Sequence, residues 1–275
     1  MSPKDELERA ANQLASMSER IWNELKDTSL KPNLDLRELL FSDPKEAVFR
    51  ADYLDAKESV REVDLRLFLE DGKHPEERVN RFLEVTYFEH PHILAYFEAG
   101  TLQRDQHTLT YAVTERADGL ATRPLDTEEV FGFAEHVMAG LEYLHTRDLV
   151  YCILSPHTVA RVGGYWKLSD FSELRVAETD TADEVLSLQE RCDTCPPEAA
   201  EGAISPAWDI WSFGQTLRKV LTANKASIPD AFRNVFVACL HINPSFRPTL
   251  SQVSGLLETA RSSHRKSDIS SAAEA

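Results

Sequence analysis

The most constraining feature of this chain is a predicted β-hairpin that lies between two short segments at a fixed spacing. Residues 159–162 and 165–168 read as short strands, and Gly163 and Gly164 join them. Glycine tolerates the positive φ angles of a tight two-residue turn, so this pattern predicts a hairpin. Residues 150–159 lead into the hairpin, and the sequence Asp-Phe-Ser at 170–172 follows it. The order and spacing of these segments set the frame for interpreting the rest of the chain.

The segment 150–159 resembles the catalytic loop of protein kinases, and residues 170–172 resemble the metal-binding Asp-Phe-Gly turn of that family. Further resemblances to protein kinases follow in the family's order and cover about residues 37 to 260. They are two N-lobe strands (48–51 and 60–68), the His-Pro-His-Ile turn (90–93), a hinge-like segment (113–117), a long helix (126–145), Pro-Pro-Glu (196–198), and the segments 209–214 and 243–249. The resemblance implies a bilobal α+β fold. Its N-lobe would hold a small antiparallel sheet and one helix at about 75–89, and its C-lobe would be mainly helical.

The resemblance divides the chain into four parts. Residues 1–33 are expected to form an amphipathic helix over 3–26 and a polar linker, residues 34–116 the N-lobe, and residues 117–261 the C-lobe. Residues 262–275 are rich in Ser and Ala and are expected to be a disordered tail. The N-terminal helix carries an apolar stripe at helical spacing. Such a stripe predicts packing on the chain's own body or, as the alternative, on a partner or a second copy in a homodimer.

The resemblance places unsuitable side chains at the catalytic positions of the loop. Ile153 stands where the family has the proton-accepting Asp, Ser155 where it has a Lys, and Thr158 where it has a metal-binding Asn. A hydrocarbon side chain accepts no proton, and general-base catalysis contributes roughly 10²–10⁴-fold. Asp170 is the one member of the family's metal-binding pair that is kept. The sequence therefore predicts that the general base and one metal ligand are lost.

The region that resembles the family's Gly-rich phosphate loop is also altered. Residues 41–47 contain no glycine, and the family's three glycine positions fall on Phe41, Asp43 and Glu46. We expect the two carboxylates to face the place of an anion. At ~5 Å and an effective dielectric constant of about 20, each such contact costs on the order of 3 kcal/mol.

The resemblance assigns nucleotide binding to Arg66, Glu115 and Ala117. Arg66 replaces the family's strand Lys and keeps its charge, but a planar guanidinium is not equivalent to an ammonium. The helix Glu that would pair with this cation falls on Arg81. Glu77 or Glu84, one turn away on either side, is therefore the predicted partner of Arg66. We expect weak or no affinity for ATP and Mg²⁺, and no cofactor is assigned with certainty.

The residues that stabilise the family's C-lobe are kept. The resemblance implies an ion pair between Glu198 and Arg247, and it implies that Asp209 accepts hydrogen bonds from backbone amides of the catalytic loop. A buried carboxylate with several donors is a strong interaction that fixes geometry. Retention of these structural residues beside the loss of catalytic ones favours a binding role.

Composition narrows the classes of partner. The net charge is −16, which argues against nucleic acids and anionic membranes because these attract Lys- and Arg-rich surfaces. No run of ~20 apolar residues that would span a membrane is present. Four cysteines suggest a reducing compartment, and we expect a cytoplasmic protein. Cys192 and Cys195 form a lone Cys-x-x-Cys, which we interpret as two unlinked thiols, with a redox disulfide as the alternative.

The sequence therefore resembles a pseudokinase, a protein-kinase-like domain without catalytic activity that serves as a scaffold or an allosteric binding module. This interpretation implies a protein partner. Two alternatives remain open. One is a nucleotide-binding sensor without catalysis, and the other is an atypical Ser/Thr protein kinase with residual activity.

Overall fold

The computed structural model describes residues 15–25, 28–70, 75–104, 106–177, 193–201, 204–223 and 229–273. These residues form two compact units. Unit 1 comprises the described residues up to Glu89 together with Leu94–Ala117, and unit 2 comprises His90–Ile93 and the described residues from Asp118 onward. The N-terminal helical residues thus belong to unit 1. The predicted two-lobed α+β fold is confirmed, and the predicted boundary between residues 116 and 117 differs from the observed one by one residue.

Unit 1 is built on a six-stranded antiparallel sheet with the order β1-β2-β3-β4-β6-β5. The two predicted N-lobe strands lie within β3 and β4. The predicted polar linker 27–33 is wrong in part, because β1 lies inside it and pairs with β2. The strands are β1 (Ser29–Lys31), β2 (Leu34–Ser42), β3 (Glu46–Leu54), β4 (Val60–Leu69), β5 (Tyr96–Arg104) and β6 (His107–Glu115).

Helix α1 (residues 15–25) covers one face of this sheet. Ile21, Trp22 and Leu25 are 1–2% exposed and belong to one apolar cluster with Leu65 and the other buried side chains of that face. The indole Nε1 of Trp22 also donates to the main-chain carbonyl of Asp43, at 3.0 Å. This part of the apolar stripe therefore packs on its own unit. Residues 1–14 lie outside the described residues, and a homodimer through the N-terminal helix stays a prediction.

Helix α2 (Pro75–Val85) packs on the other face and ends four residues before the predicted position. Its Phe82 is fully buried between Phe68 and Tyr96, with ring centroids 5.5 and 5.6 Å away. Because successive side chains of a strand point to opposite faces, Asp64, Arg66 and Phe68 of β4 all lie on this α2 face. Arg66, which the resemblance assigns to nucleotide binding, therefore lies on the same face as a packed cluster of aromatic side chains.

Unit 2 contains four α-helices among its described residues, and the longest predicted one is confirmed. Helix α3 (Thr127–His145) begins with a reciprocal cap, in which Asp126 Oδ1 accepts from the N–H of Glu129 at 2.8 Å and Glu129 accepts from the N–H of Asp126 at 3.2 Å. Such a cap satisfies two backbone donors that the first helical turn leaves unpaired. The other helices are α4 (Pro206–Thr222), α5 (Arg233–Cys239) and α6 (Leu250–Ala273).

The predicted hairpin of unit 2 is formed as expected. Strands β9 (Val159–Val162) and β10 (Tyr165–Leu168) pair antiparallel, and Gly163 and Gly164 have φ angles of +56° and +92°. Two consecutive positive φ angles are what a tight primed turn requires. Strand β7 (Gly119–Leu120) pairs with β9, and β8 (Leu149–Val150) pairs with β11 (Arg175–Val176).

The predicted disordered tail at 262–275 is wrong for residues 262–273, which continue helix α6. Val253 and Leu257 bury the first half of this helix, so the Ser- and Ala-rich half extends a helix that is already nucleated. Arg261 pairs with Glu135 of α3, and the ring of His264 lies 6.3 Å from that of Phe131. Residues 274 and 275 lie outside the described residues. Among the described helices, none has the length and apolar character needed to cross a lipid bilayer.

We expect Trp22→Ala to lower the free energy of unfolding by about 3–5 kcal/mol, because it removes a large buried side chain and the hydrogen bond to the turn at Asp43. Urea denaturation followed by circular dichroism measures this change. Asn23→Ala is the matched control, since Asn23 is exposed on the same helix. If both variants lose less than about 0.5 kcal/mol, helix α1 is not part of the core of unit 1.

Candidate functional site

The segment that resembles a catalytic loop is anchored by Asp209 at the start of helix α4. Asp209 is fully buried, and its two carboxylate oxygens accept from the backbone N–H groups of Tyr151 at 2.8 Å and Cys152 at 2.9 Å. The ring Nε2 of His145 lies 2.9 Å from one of these oxygens. The structure thus forms the carboxylate cap that the resemblance implies for Asp209. It also gives His145 a structural role that the sequence did not reveal.

Cys152 holds the loop in an uncommon conformation. Its φ is +69°, and the N–H of Ile153 donates across it to the carbonyl of Tyr151 at 2.9 Å, which closes a three-residue turn. The indole Nε1 of Trp208 donates to the carbonyl of Cys152 at 2.8 Å. A non-glycine residue with positive φ persists only where its surroundings fix it. Here Asp209 and Trp208 provide these contacts from helix α4.

Tyr151 connects the loop to the Asp-Phe-Ser turn. In the resemblance it replaces the His of the family's loop, and its side chain is fully buried. Its hydroxyl donates to the carbonyl of Thr158 at 2.8 Å and accepts from the N–H groups of Asp170 at 2.9 Å and Ser169 at 3.2 Å. The hydroxyl of Tyr151 therefore links the loop to the Asp-Phe-Ser turn, at a position where the family has a histidine.

The polar side chains at the altered catalytic positions bind the loop itself. The hydroxyl of Thr158 donates to the carbonyl of Ile153 at 2.8 Å and accepts from the N–H of Ser155 at 2.9 Å. The hydroxyl of Ser155 accepts from the N–H of His157 at 3.3 Å. Ile153 itself is 7% exposed and offers only a hydrocarbon side chain. A hydroxyl has one donor and two acceptor sites, so most of the bonding capacity of Thr158 is already used.

Asp170 is the retained carboxylate of the predicted metal site. It is 7% exposed, and its Oδ1 accepts from the N–H of Ser172 at 2.9 Å, which closes the Asp-Phe-Ser turn. Magnesium requires oxygen ligands in near-octahedral geometry. In the part of the chain that the structure describes, no cluster of three or more His, Cys, Asp or Glu side chains has the arrangement of a metal site. Weak or absent magnesium binding at Asp170 stays a prediction.

In unit 1, Arg66 forms an ion pair with Glu46 of the neighbouring strand. The guanidinium Nε lies 2.9 Å from Oε1 of Glu46, a second guanidinium nitrogen contacts the same oxygen, and both side chains are mostly buried. The β3–β4 register places Phe68 opposite Glu46, so Arg66 is its diagonal neighbour. The sequence did not reveal Glu46 as a partner of Arg66. Of the two predicted partners, Glu77 lies 3.5 Å from Arg81, one helical turn away, and pairing of Arg66 with Glu77 or Glu84 stays a prediction.

The turn in place of a Gly-rich loop is closed by Asp43. Its Oδ1 accepts from the N–H groups of Lys45 at 2.7 Å and Glu46 at 2.8 Å, as Asp commonly does in turns. Repulsion of an anion by Asp43 and Glu46 stays a prediction. Asp43 binds its own backbone, and Arg66 offsets the charge of Glu46.

A second ion pair lies on the same face of the sheet, four residues along β3 and two residues along β4 from the first. Arg50 is directly opposite Asp64, with Nε 2.9 Å from Oδ1, and both side chains are mostly buried. Asp64 Oδ2 accepts from the N–H of Ala117 at 2.8 Å, and Nη2 of Arg50 donates to the carbonyl of Ala117 at 3.3 Å. Burial raises the pKa of Asp64, while the N–H of Ala117 and the charge of Arg50 oppose that shift.

Each residue that the resemblance assigns to nucleotide binding thus has a partner inside unit 1. Arg66 pairs with Glu46, and both backbone groups of Ala117 contact the Arg50–Asp64 pair. Glu115 Oε1 accepts from the N–H of Ala95 at 2.8 Å, and its own N–H donates to the carbonyl of Ala95 at 2.9 Å. Sequence reasoning missed Arg50 and Asp64. The signal was a pair of opposite charges on two neighbouring predicted strands, Arg50 on one and Asp64 on the other.

Glu198 and Arg247 form the ion pair that the resemblance implies. Both terminal guanidinium nitrogens of Arg247 bind the carboxylate of Glu198, Nη2 at 2.7 Å. Both side chains are at most 6% exposed. Arg247 also donates to the carbonyls of Ala207 and His241, each at 2.9 Å, and its guanidinium lies 5.0 Å from the ring centre of Trp211. A two-point ion pair with further carbonyl acceptors is among the stronger polar contacts in a protein.

The cysteines give no further support for redox chemistry. Cys152 and Cys239 are buried thiols, and burial raises the pKa of Cys239 to about 12. Such a thiol is not reactive at neutral pH. Cys195 is half-buried, and Cys192 lies outside the described residues. The choice between unlinked thiols and a disulfide in the Cys-x-x-Cys pair stays open.

Comparison with known proteins identifies the fold and the segments around this site. A model of the family described as protein tyrosine and serine/threonine kinase matches residues 48–231, more than half of the chain. The chain belongs to this family. The matched region contains the loop anchored by Asp209, the Arg50–Asp64 ion pair and Arg66.

Several protein kinases are similar to this chain. Tyrosine-protein kinase receptor svh-2 of Caenorhabditis elegans is 25% identical over a match that covers 75% of this chain and 22% of that protein. Mitogen-activated protein kinase kinase kinase 3 of Arabidopsis thaliana is 27% identical, with coverage of 60% and 32%. Tyrosine-protein kinase FRK of Homo sapiens is 26% identical, with coverage of 46% and 30%. The chain spans less than a third of the length of each of these relatives.

We expect Tyr151→Phe to lower the free energy of unfolding by about 1–3 kcal/mol, because it removes the partner of three buried backbone groups at the loop and the turn. Urea denaturation measures the change. Tyr165→Phe is the control, since Tyr165 is 55% exposed. Equal stability of the two variants would contradict the bridging role of Tyr151.

Proposed function

We propose that this member of the protein kinase family is a catalytically inactive domain that acts as a scaffold or an allosteric binding module for another protein. The observation that carries the proposal is Ile153 at the position of the family's proton acceptor. Its hydrocarbon side chain lies on a loop that is otherwise held in place by Asp209, Tyr151 and Thr158. The frame of the loop is retained, and the group that would accept a proton is absent.

The expected size of the rate loss supports catalytic inactivity. Loss of a general base lowers a rate roughly 10²–10⁴-fold. Phosphoryl transfer in this family depends on charge stabilisation by metal ions and a strand cation. Thr158 already binds backbone groups, and Arg66 already binds Glu46. A nucleotide phosphate would have to compete with the Glu46 carboxylate for this guanidinium.

A binding role is favoured by what the chain has kept. The cap by Asp209 and the Glu198–Arg247 ion pair stabilise unit 2 without any catalytic duty. The net charge of −16 favours a protein partner over a nucleic acid or an anionic membrane. We propose cytoplasmic action, in keeping with the low cysteine content.

The retained Asp170 supports a second candidate function, a nucleotide-binding sensor or an atypical Ser/Thr kinase with residual activity. A single carboxylate beside bound phosphates can hold a magnesium ion. Under this alternative, binding of ATP with magnesium would depend on Asp170.

We expect no transfer of labelled phosphate from ATP to the chain itself or to casein, with either magnesium or manganese, above the level of a reaction without the protein. Scintillation counting of the separated proteins measures this. Asp170→Ala is compared with Asp35→Ala, which removes an exposed carboxylate elsewhere. Incorporation that disappears in Asp170→Ala and persists in Asp35→Ala would overturn the proposal and support the kinase. A thermal shift with ATP and magnesium that shows the same dependence, without incorporation, would support the sensor.

We also expect the full chain, immobilised on a resin, to retain a defined protein at a fixed molar ratio, because a scaffold must bind its partner specifically. The purified complex should show that ratio in sedimentation velocity. A chain that retains nothing specific and sediments as a monomer would contradict the scaffold role, whatever the outcome of the phosphate assay.

A further inference from the structure

We propose that Arg50 and Asp64 act as an internal ligand of the Ala117 backbone and thereby keep a purine base from binding there. This inference deepens the proposed function and rests on it, because it identifies the residues that exclude the base of a nucleotide. Its observation is independent of the altered catalytic loop, since it concerns only unit 1.

Ala117 can bind a polar ligand only through its backbone N–H and its carbonyl, because an alanine side chain has no polar atom. A flat heterocycle with an acceptor beside a donor would match these two groups. In the structure, the Asp64 carboxylate is that acceptor, at 2.8 Å, and the Arg50 guanidinium is that donor, at 3.3 Å.

The internal contacts are stronger than those that a purine could offer. A carboxylate acceptor and a guanidinium donor form charge-assisted hydrogen bonds, which are roughly twice as strong as neutral ones. Displacement of Asp64 from Ala117 would also leave a mostly buried carboxylate with one fewer donor. A neutral base therefore loses the competition at the Ala117 backbone.

The pair is part of the sheet and not of a mobile loop. Arg50 and Asp64 lie directly opposite each other in the β3–β4 ladder, and the hydroxyl of Thr114 donates to the main-chain carbonyl of Asp64 at 3.2 Å. The strand register thus fixes both side chains on the α2 face. Because no loop has to open or close, the exclusion is permanent in the folded protein.

We expect the double variant Arg50→Val/Asp64→Ala to bind adenosine at least about tenfold more tightly than the wild-type protein, measured by isothermal titration calorimetry. Removal of both partners avoids a lone buried charge, and valine suits a strand. Adenosine is the probe because it has no phosphate and does not depend on Arg66. The control is Arg37→Val/Asp52→Ala, which removes an exposed ion pair of the same sheet.

If the double variant keeps wild-type circular dichroism and binds adenosine no better than the control, the proposal is wrong. If the double variant does not fold, hydrogen exchange at the Ala117 amide of the wild-type protein tests the proposal instead. A slowly exchanging Ala117 amide that adenosine leaves unchanged supports the internal ligand, and a rapidly exchanging or adenosine-sensitive amide overturns it. Phosphate transfer is measured separately, so failure of the proposed function and failure of this inference give different results.

Discussion

A buried charge must have a partner within reach, and this constraint shapes the α2 face of the unit 1 sheet. Two cross-strand ion pairs, Glu46–Arg66 and Arg50–Asp64, lie there, four residues apart along β3 and two residues apart along β4. An isolated ion would be costly to remove from water, so each of these side chains fixes the position of its partner. Such a face can remain folded without a ligand. Arg50 and Arg66 are each paired with a carboxylate of the neighbouring strand.

The same constraint acts on backbone groups in unit 2. The turn around Cys152 leaves amides that cannot pair in a helix or sheet, and Asp209 accepts two hydrogen bonds from them. Thr158 and Tyr151 supply further internal partners for the loop and the turn. Side chains that are free to act on a substrate in an enzyme here stabilise the backbone. The loop therefore keeps its conformation without any selection for catalysis.

The sequence predicted features that depend on local chemistry. The glycine pair at 163 and 164 and the cap at Asp126 require only neighbouring residues, and both are confirmed. Glu46 was missed as a partner of Arg66 because this pairing depends on strand register, which a single sequence specifies only indirectly. The Ser- and Ala-rich end was wrong because composition does not show that an apolar helix precedes it. The roles of Arg50 and Asp64 required tertiary contacts to Ala117, which no local pattern shows.

Under our proposal, loss of catalysis and loss of nucleotide binding would have separate physical origins in this chain. Ile153 offers no proton acceptor and leaves the binding of phosphates untouched, whereas the Arg50–Asp64 pair would exclude a base and leave proton transfer untouched. Because these residues lie in different units, restoration of one would not restore the other. Arg50 and Arg66 are paired with carboxylates inside unit 1, so the stability of this face would not depend on a nucleotide. Such independence agrees with the scaffold role that we propose.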